Sequence, residues 1–339
     1  NLLAYLSFVF AAAGIPLLVY SFYRFDMGGT ARMGGILINL AVLCYLVNLW
    51  LSMAHSHKRN AHAIFAFTSV LWLLSTTGLG LVLVYNFNLD ILSSNSLHYL
   101  SLHAHLGIVG WFLLMVIGVG SRLIPMFLIS KYENQRRLWW VYGMINGGLL
   151  AFVLLFLFSL PSVLYFLPIG CICFGVLLFG HYIYRAFTKR IRKKVDGQVR
   201  ISMLSVVFIL IPLIILAVII ALFATIGNLQ LVLLYGFTIF FGWITTIILG
   251  MTFKTLPFIV WNKVYHDIAG LGKTPNPKQL FSSTIFIANG ITYLTGFIIF
   301  GAGIVQTNIL LLNIGAVLLL VTALLYNLNV FKILFHKAK

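Results

Sequence analysis

Ten apolar runs of about twenty or more residues follow one another along the chain, near 2–23, 33–54, 63–86, 100–129, 138–159, 162–187, 201–226, 229–260, 281–303 and 307–334. A run of that length is what an α-helix needs to cross a hydrocarbon core of about 30 Å. The alternating ten-residue segments of a membrane barrel are missing. Lipid offers the backbone no hydrogen-bond partner, so helices are the remaining choice. The sequence therefore predicts an all-α polytopic membrane bundle of about ten transmembrane helices, read as a single domain over 1–339. With 62% hydrophobic and 8% charged residues, an ordinary soluble domain is excluded.

A net charge of +17 in a soluble protein would point to nucleic acid, but here the cations sit in alternate loops. Lys58 and Arg59, Lys131 with Arg136 and Arg137, the run Lys189 to Arg200, Lys263 with Lys273 and Lys278, and the end with Lys332, Lys337 and Lys339 mark one side. The loops between them carry almost none; Arg24 and Arg32 are the exception. This is the positive-inside pattern. It predicts both termini in the cytoplasm, a bacterial inner membrane, and lipid rather than nucleic acid as the surrounding partner. Further membrane subunits or a second copy of the chain are expected beside it. Cys44, Cys171 and Cys173 fall inside apolar runs, where a thiol behaves as a small apolar residue.

One internal repeat stands out. Gly110, Trp111, Gly118, Arg122 and Pro125 recur 132 positions later as Gly242, Trp243, Gly250, Lys254 and Pro257. The two copies, centred on 103–132 and 235–264, occupy the fourth and eighth runs and so cross in the same direction. A four-helix unit repeated in parallel is the architecture this implies.

Residues able to carry chemistry are few. The five acids, Asp26, Asp90, Glu133, Asp196 and Asp267, all lie in or beside loops, which disfavours an ion-coupled pump and leaves no carboxylate pair for hydrolysis. No phosphate-binding loop, nucleophile elbow or zinc-protease motif is present. Histidine remains, in two groups: His98, His103 and His105 at the outer end of the fourth run, and His55, His57 and His62 around a basic turn. On a helix His98 and His105 share a face about 10.5 Å apart along the axis, whereas His103 and His105 point apart. A neutral imidazole in an apolar helix is a ligand for iron or copper, or is satisfied by a backbone carbonyl or interfacial water. The candidate metal ligands are thus His98, His103 and His105. Arg122 and Lys254 either reach to the headgroups or hold an anion such as a heme propionate or a lipid phosphate.

The stretch His103-Ala-His-Leu-Gly-Ile-Val-Gly-Trp111, followed by Gly118 and Arg122-Leu-Ile-Pro125, resembles helices of the heme-copper oxidase subunit I superfamily and its short relatives. That superfamily is built from parallel four-helix arcs. The resemblance implies a b-type heme, with copper as the alternative, ligated by His103 or His105. Gly107 and Gly110 would make room for the macrocycle, Trp111 would pack beside it and Arg122 would meet its acidic edge. It implies a respiratory or nitrogen-oxide redox role as an electron-transfer or accessory subunit. The chain lacks the adjacent His-His pair and the other ligands of the catalytic members, so no complete oxygen-reducing centre is expected. An opposite axial ligand would come from Met27, Met33 or another chain, or be absent. An NnrS-type protein of nitric oxide stress is the alternative within the metal class, and a metal-free transporter or assembly subunit is the alternative outside it.

Overall fold

The computed structural model describes residues 2–55, 60–191, 195–222, 229–269 and 274–337. Among these residues there is no β-strand, and ten helices are long and apolar enough to cross a membrane. They are α1 (Leu2–Arg24), α2 (Gly29–Ala54), α3 (Ala61–Leu89), α4 (Leu100–Phe127), α5 (Gln135–Leu157), α6 (Ser162–Thr188), α7 (Gly197–Leu222), α8 (Leu229–Tyr265), α9 (Ser283–Gln306) and α10 (Ile309–Leu334). All ten expected runs are helices, and the chain is an integral membrane protein of the all-α class. The expected end of the seventh run, at 226, and His57, Lys58, Arg59, Lys273 and Lys339 lie outside the described residues.

Side-chain caps set several helix starts. Asn60 accepts from the amide of Ala63 at 3.0 Å, Asn134 from Arg137 at 2.9 Å, and Asn308 from Leu310 at 3.0 Å. Each satisfies a first-turn amide that has no partner inside its own helix. The outer helices turn large apolar side chains outward, such as Phe8 at 71% and Ile298 at 66% exposed. In water that surface would drive aggregation, whereas in lipid it is the solvated surface.

The helices group into two compact units, residues 1–126 with 130–189 and residues 127–129 with 190–339, where the sequence alone reads one domain. In the first unit each helix packs on its neighbours in sequence, with α4 against α3 and α5. In the second, α8 is the central helix and touches α7, α9 and α10.

The two units share one unusual element. Within α4 the segment Leu106–Leu113 is π-helical, and within α8 so is Thr238–Ile244. Shifted by the repeat distance of 132, Leu106 falls on Thr238, the first residue of the second π segment. A π turn leaves carbonyls poorly matched to amides one turn on, and such turns concentrate at functional sites. In the second unit Tyr293 of α9 covers the mismatch: its hydroxyl lies 2.9 Å from the Gly242 carbonyl and 2.6 Å from the Thr246 hydroxyl.

Polar ties hold the helices where lipid supplies no hydrophobic force between them. Asn329 of α10, fully buried, accepts from the Ser282 amide at 2.8 Å and donates to the Ser282 carbonyl at 3.0 Å. Asn329→Leu strands both backbone groups, and we expect it to cost about 1–3 kcal/mol in a detergent unfolding titration. A loss below the error of the titration would show that water replaces the amide.

Candidate functional site in the first repeat copy

The candidate residues sit at the N-terminal end of α4, where an ordinary α-helical turn, Leu100–His105, runs directly into the π segment. His105 is the last residue before the change. Its Nδ1 is 2.7 Å from the Ser101 carbonyl, and its ring centroid is 5.0 Å from that of Phe152 on α5. A carbonyl only accepts, so Nδ1 is the donor and, in the neutral ring, Nε2 carries the lone pair. His98, exposed in the turn before α4, lies 5.2 Å from Phe156, one helical turn along the same helix α5.

His103 goes the other way. Its ring packs over Gly80 of α3, where a built Cβ would lie 2.9 Å from its Cε1. Its Nδ1 is buried with no hydrogen-bond partner among the described residues. His103 and His105 diverge as the helical spacing predicts, His105 toward α5 and His103 toward α3; His98 precedes the helix, so its approach to Phe156 of α5 comes from the turn and not from helical periodicity. The same geometry keeps the trio apart. Among the described residues no group of three or more His, Cys, Asp or Glu side chains lies close enough together to hold a metal ion.

The glycines meet protein. A Cβ on Gly107 would come 3.2 Å from the Thr76 methyl, and one on Gly110 would come 2.7 Å from Trp72 Cγ and 2.9 Å from a Leu149 methyl. The notch expected to receive a macrocycle is filled by Trp72, whose Nε1 donates to Asn146 Oδ1 of α5 at 2.9 Å. Gly107 and Gly110 therefore bring α3 against α4. Trp111 is only partly buried and stacks edge-on with its neighbour Phe112, whereas its repeat counterpart Trp243 is 2% exposed. Met27 lies in the α1–α2 turn, where its carbonyl accepts from Asn88, and Met33 is 55% exposed on α2.

At the opposite end of α4, Arg122 is exposed and makes no ion pair among the described residues. His62 of α3, close by, has its Nδ1 2.7 Å from Ser121 Oγ. The serine hydroxyl gives its proton to the Gly118 carbonyl, so it accepts from the imidazole. His55 is tied to the Leu51 carbonyl at 2.7 Å, an ordinary helix-end contact.

Sequence reasoning missed the acid that meets the second copy. Asp196, at the N-cap of α7 and with its side chain 3% exposed, accepts from Lys254 Nζ at 2.7 Å and from Lys278 Nζ. Burial alone pushes this carboxyl up, but the hydrogen bonds and positive charges of the two lysines outweigh it and hold it below the ordinary carboxylate value. Lys254 therefore does not reach to the headgroups; it is neutralised inside its own unit. The available signal was the position of Asp196 immediately before an apolar run, which reads as a helix N-cap, but nothing in the sequence pairs it with a residue 58 positions on. No family model matches the chain, and no curated protein or solved structure matches it either.

Proposed function

We propose that the chain is a heme-binding protein of a bacterial inner membrane, with both termini on the basic side. His105 would hold a b-type heme through its Nε2, and the protein serves respiratory or nitrogen-oxide redox chemistry as an electron-transfer or accessory subunit. The observation that carries this reading is the placement of His105: its Nδ1 donates to the Ser101 carbonyl directly before the π-helical segment, whereas His55, with the same bond to Leu51, closes an ordinary helix. Metal-ligating histidines commonly donate their second nitrogen to a carbonyl in this way, which fixes the tautomer and raises the basicity of Nε2. The abrupt change to a π-helical turn directly after His105 adds a local distortion of the kind found at functional sites.

The donor set favours heme over copper. One imidazole can hold a five-coordinate heme iron, as in globin-type ligation, whereas copper takes several protein ligands at once. The residues would offer a single imidazole to the group and leave no room for a macrocycle slotted between α3 and α4, because Trp72 occupies that notch. In this reading His103, Gly107 and Gly110 belong to helix packing. The group would supply a one-electron couple, and the chain would contribute the ligand, its orientation and an apolar surround.

The reduced-minus-oxidised visible spectrum of the detergent-purified protein tests it. We expect a Soret and α-band pattern that His105→Ala abolishes and His103→Ala leaves in place. A flat spectrum from folded parent protein overturns the proposal. It would favour a metal-free transport or assembly role, the reading that the filled Gly110 notch supports.

A further inference from the structure

The repeat also exposes a difference between its two copies. In the second, the built Cβ of Gly250 would lie 2.9 Å from the Gln198 carbonyl of α7, and Asp196, two residues before Gln198, stands at the N-cap position of that helix with its carboxylate on Lys254. In the first, the built Cβ of Gly118 would lie 3.5 Å from the His62 carbonyl of α3, and Asn60, two residues before His62, caps that helix. Asn60, His62, Gly118 and Arg122 thus occupy the places of Asp196, Gln198, Gly250 and Lys254. The basic residue is kept and the acid is replaced by its amide.

That replacement reverses the chemistry of the cap. Asn60 Oδ1 accepts from Ala63 N, so the group left over is Nδ2, a donor, where Asp196 offers Lys254 an acceptor oxygen. Beside it lies a cavity of about 550 Å³, lined by Asn60, His62, Arg122 and Ser52 on its polar part and by Met53 and Met126 on its apolar part. Arg122 and Asn60 thus line one open cavity, and guanidinium is the side chain best matched to phosphate oxygens.

We propose that this cavity binds a phosphate group, that of an anionic phospholipid headgroup, in the place where the second copy holds its own carboxylate. The apolar part of the lining suits the glycerol and upper acyl chain, which a free phosphate lacks. This proposal is independent of heme ligation at the other end of α4.

The test is native mass spectrometry of the full chain, delipidated in uncharged detergent and titrated with phosphatidylglycerol or with zwitterionic phosphatidylcholine. The parent retains phosphatidylglycerol in preference to phosphatidylcholine. Arg122→Gln removes the cation, and Asn60→Asp supplies the internal carboxylate that the second copy has while keeping a good helix cap. Each weakens retention about tenfold, the range expected when one charge-assisted contact is lost. An unchanged melting temperature for Asn60→Asp separates loss of the site from loss of the fold. Equal retention by parent and both variants overturns the proposal. Binding of inorganic phosphate in calorimetry, with the same dependence on both substitutions and displacement of the lipid, would keep the phosphate site and overturn its lipid source.

Discussion

Asp196→Ala should destabilise the protein by about 3–5 kcal/mol, because it leaves Lys254, with a side chain only 19% exposed, charged and without its carboxylate. Lys278, at 46% exposed, contributes little by comparison, since water screens it. Removing both members of the inner pair is expected to recover part of the loss, so Asp196→Asn combined with Lys254→Met should unfold at higher denaturant than Asp196→Ala alone. The pH dependence follows from the depressed carboxyl. The stabilisation is fully present above the unfolded-state value of about 3.9, and it is lost as pH falls through the lower folded-state value. Parent and Asp196→Asn should therefore differ by a constant amount from pH 8 to about pH 5 and converge below about pH 4. An Asp196→Ala variant within about 1 kcal/mol of the parent would mean that the two lysines rearrange to solvent at no cost.

The second large effect belongs to the glycine that sets the α7–α8 contact. A Cβ on Gly250 would lie 2.7 Å from the Ser202 amide nitrogen and 2.9 Å from the Gln198 carbonyl oxygen, both backbone atoms that no rotamer change can move. Gly250→Ala must push the helices apart, and we expect a loss at or above the upper end of the 1–3 kcal/mol typical of overpacking. Gly118→Ala meets Phe65 Cβ at 2.6 Å, an atom fixed to the α3 backbone that no rotamer change can move, so a loss of similar size is expected there. Gly147→Ala on α5 meets nothing within 4 Å and serves as the control: it should be neutral or stabilising by up to about 1 kcal/mol through helix propensity alone. Thermal unfolding of the three variants in one detergent orders them, and a Gly250→Ala protein as stable as the control would show that α7 and α8 do not pack this closely.

Several features of the site region were readable from single residues. The divergence of His103 and His105 followed from helical periodicity, which sends His105 to Phe152 of α5 and His103 to Gly80 of α3, whereas His98 lies in the turn before α4 and meets Phe156 from there. The paired glycines and cations were visible as a spacing of 132. The role of the glycines was not, because a small residue reads alike whether the space above it holds a ligand or a tryptophan. Trp72 enters the Gly110 notch only because α3 and α4 settle in a register that their two sequences do not encode separately.

By itself the sequence determined the ten helices, the distribution of basic residues among the loops and the existence of two equivalent segments. Those properties arise from each residue's own transfer free energy and from local backbone bonding, so they survive in a linear reading. Only the tertiary structure decided that both segments wind into π turns, that Asp196 neutralises Lys254, and that Asn60 and Arg122 line a cavity instead. The ion pair and the cavity depend on backbone register and on atoms from helices dozens of residues apart coming together, where one turn of register exchanges an acceptor for a donor.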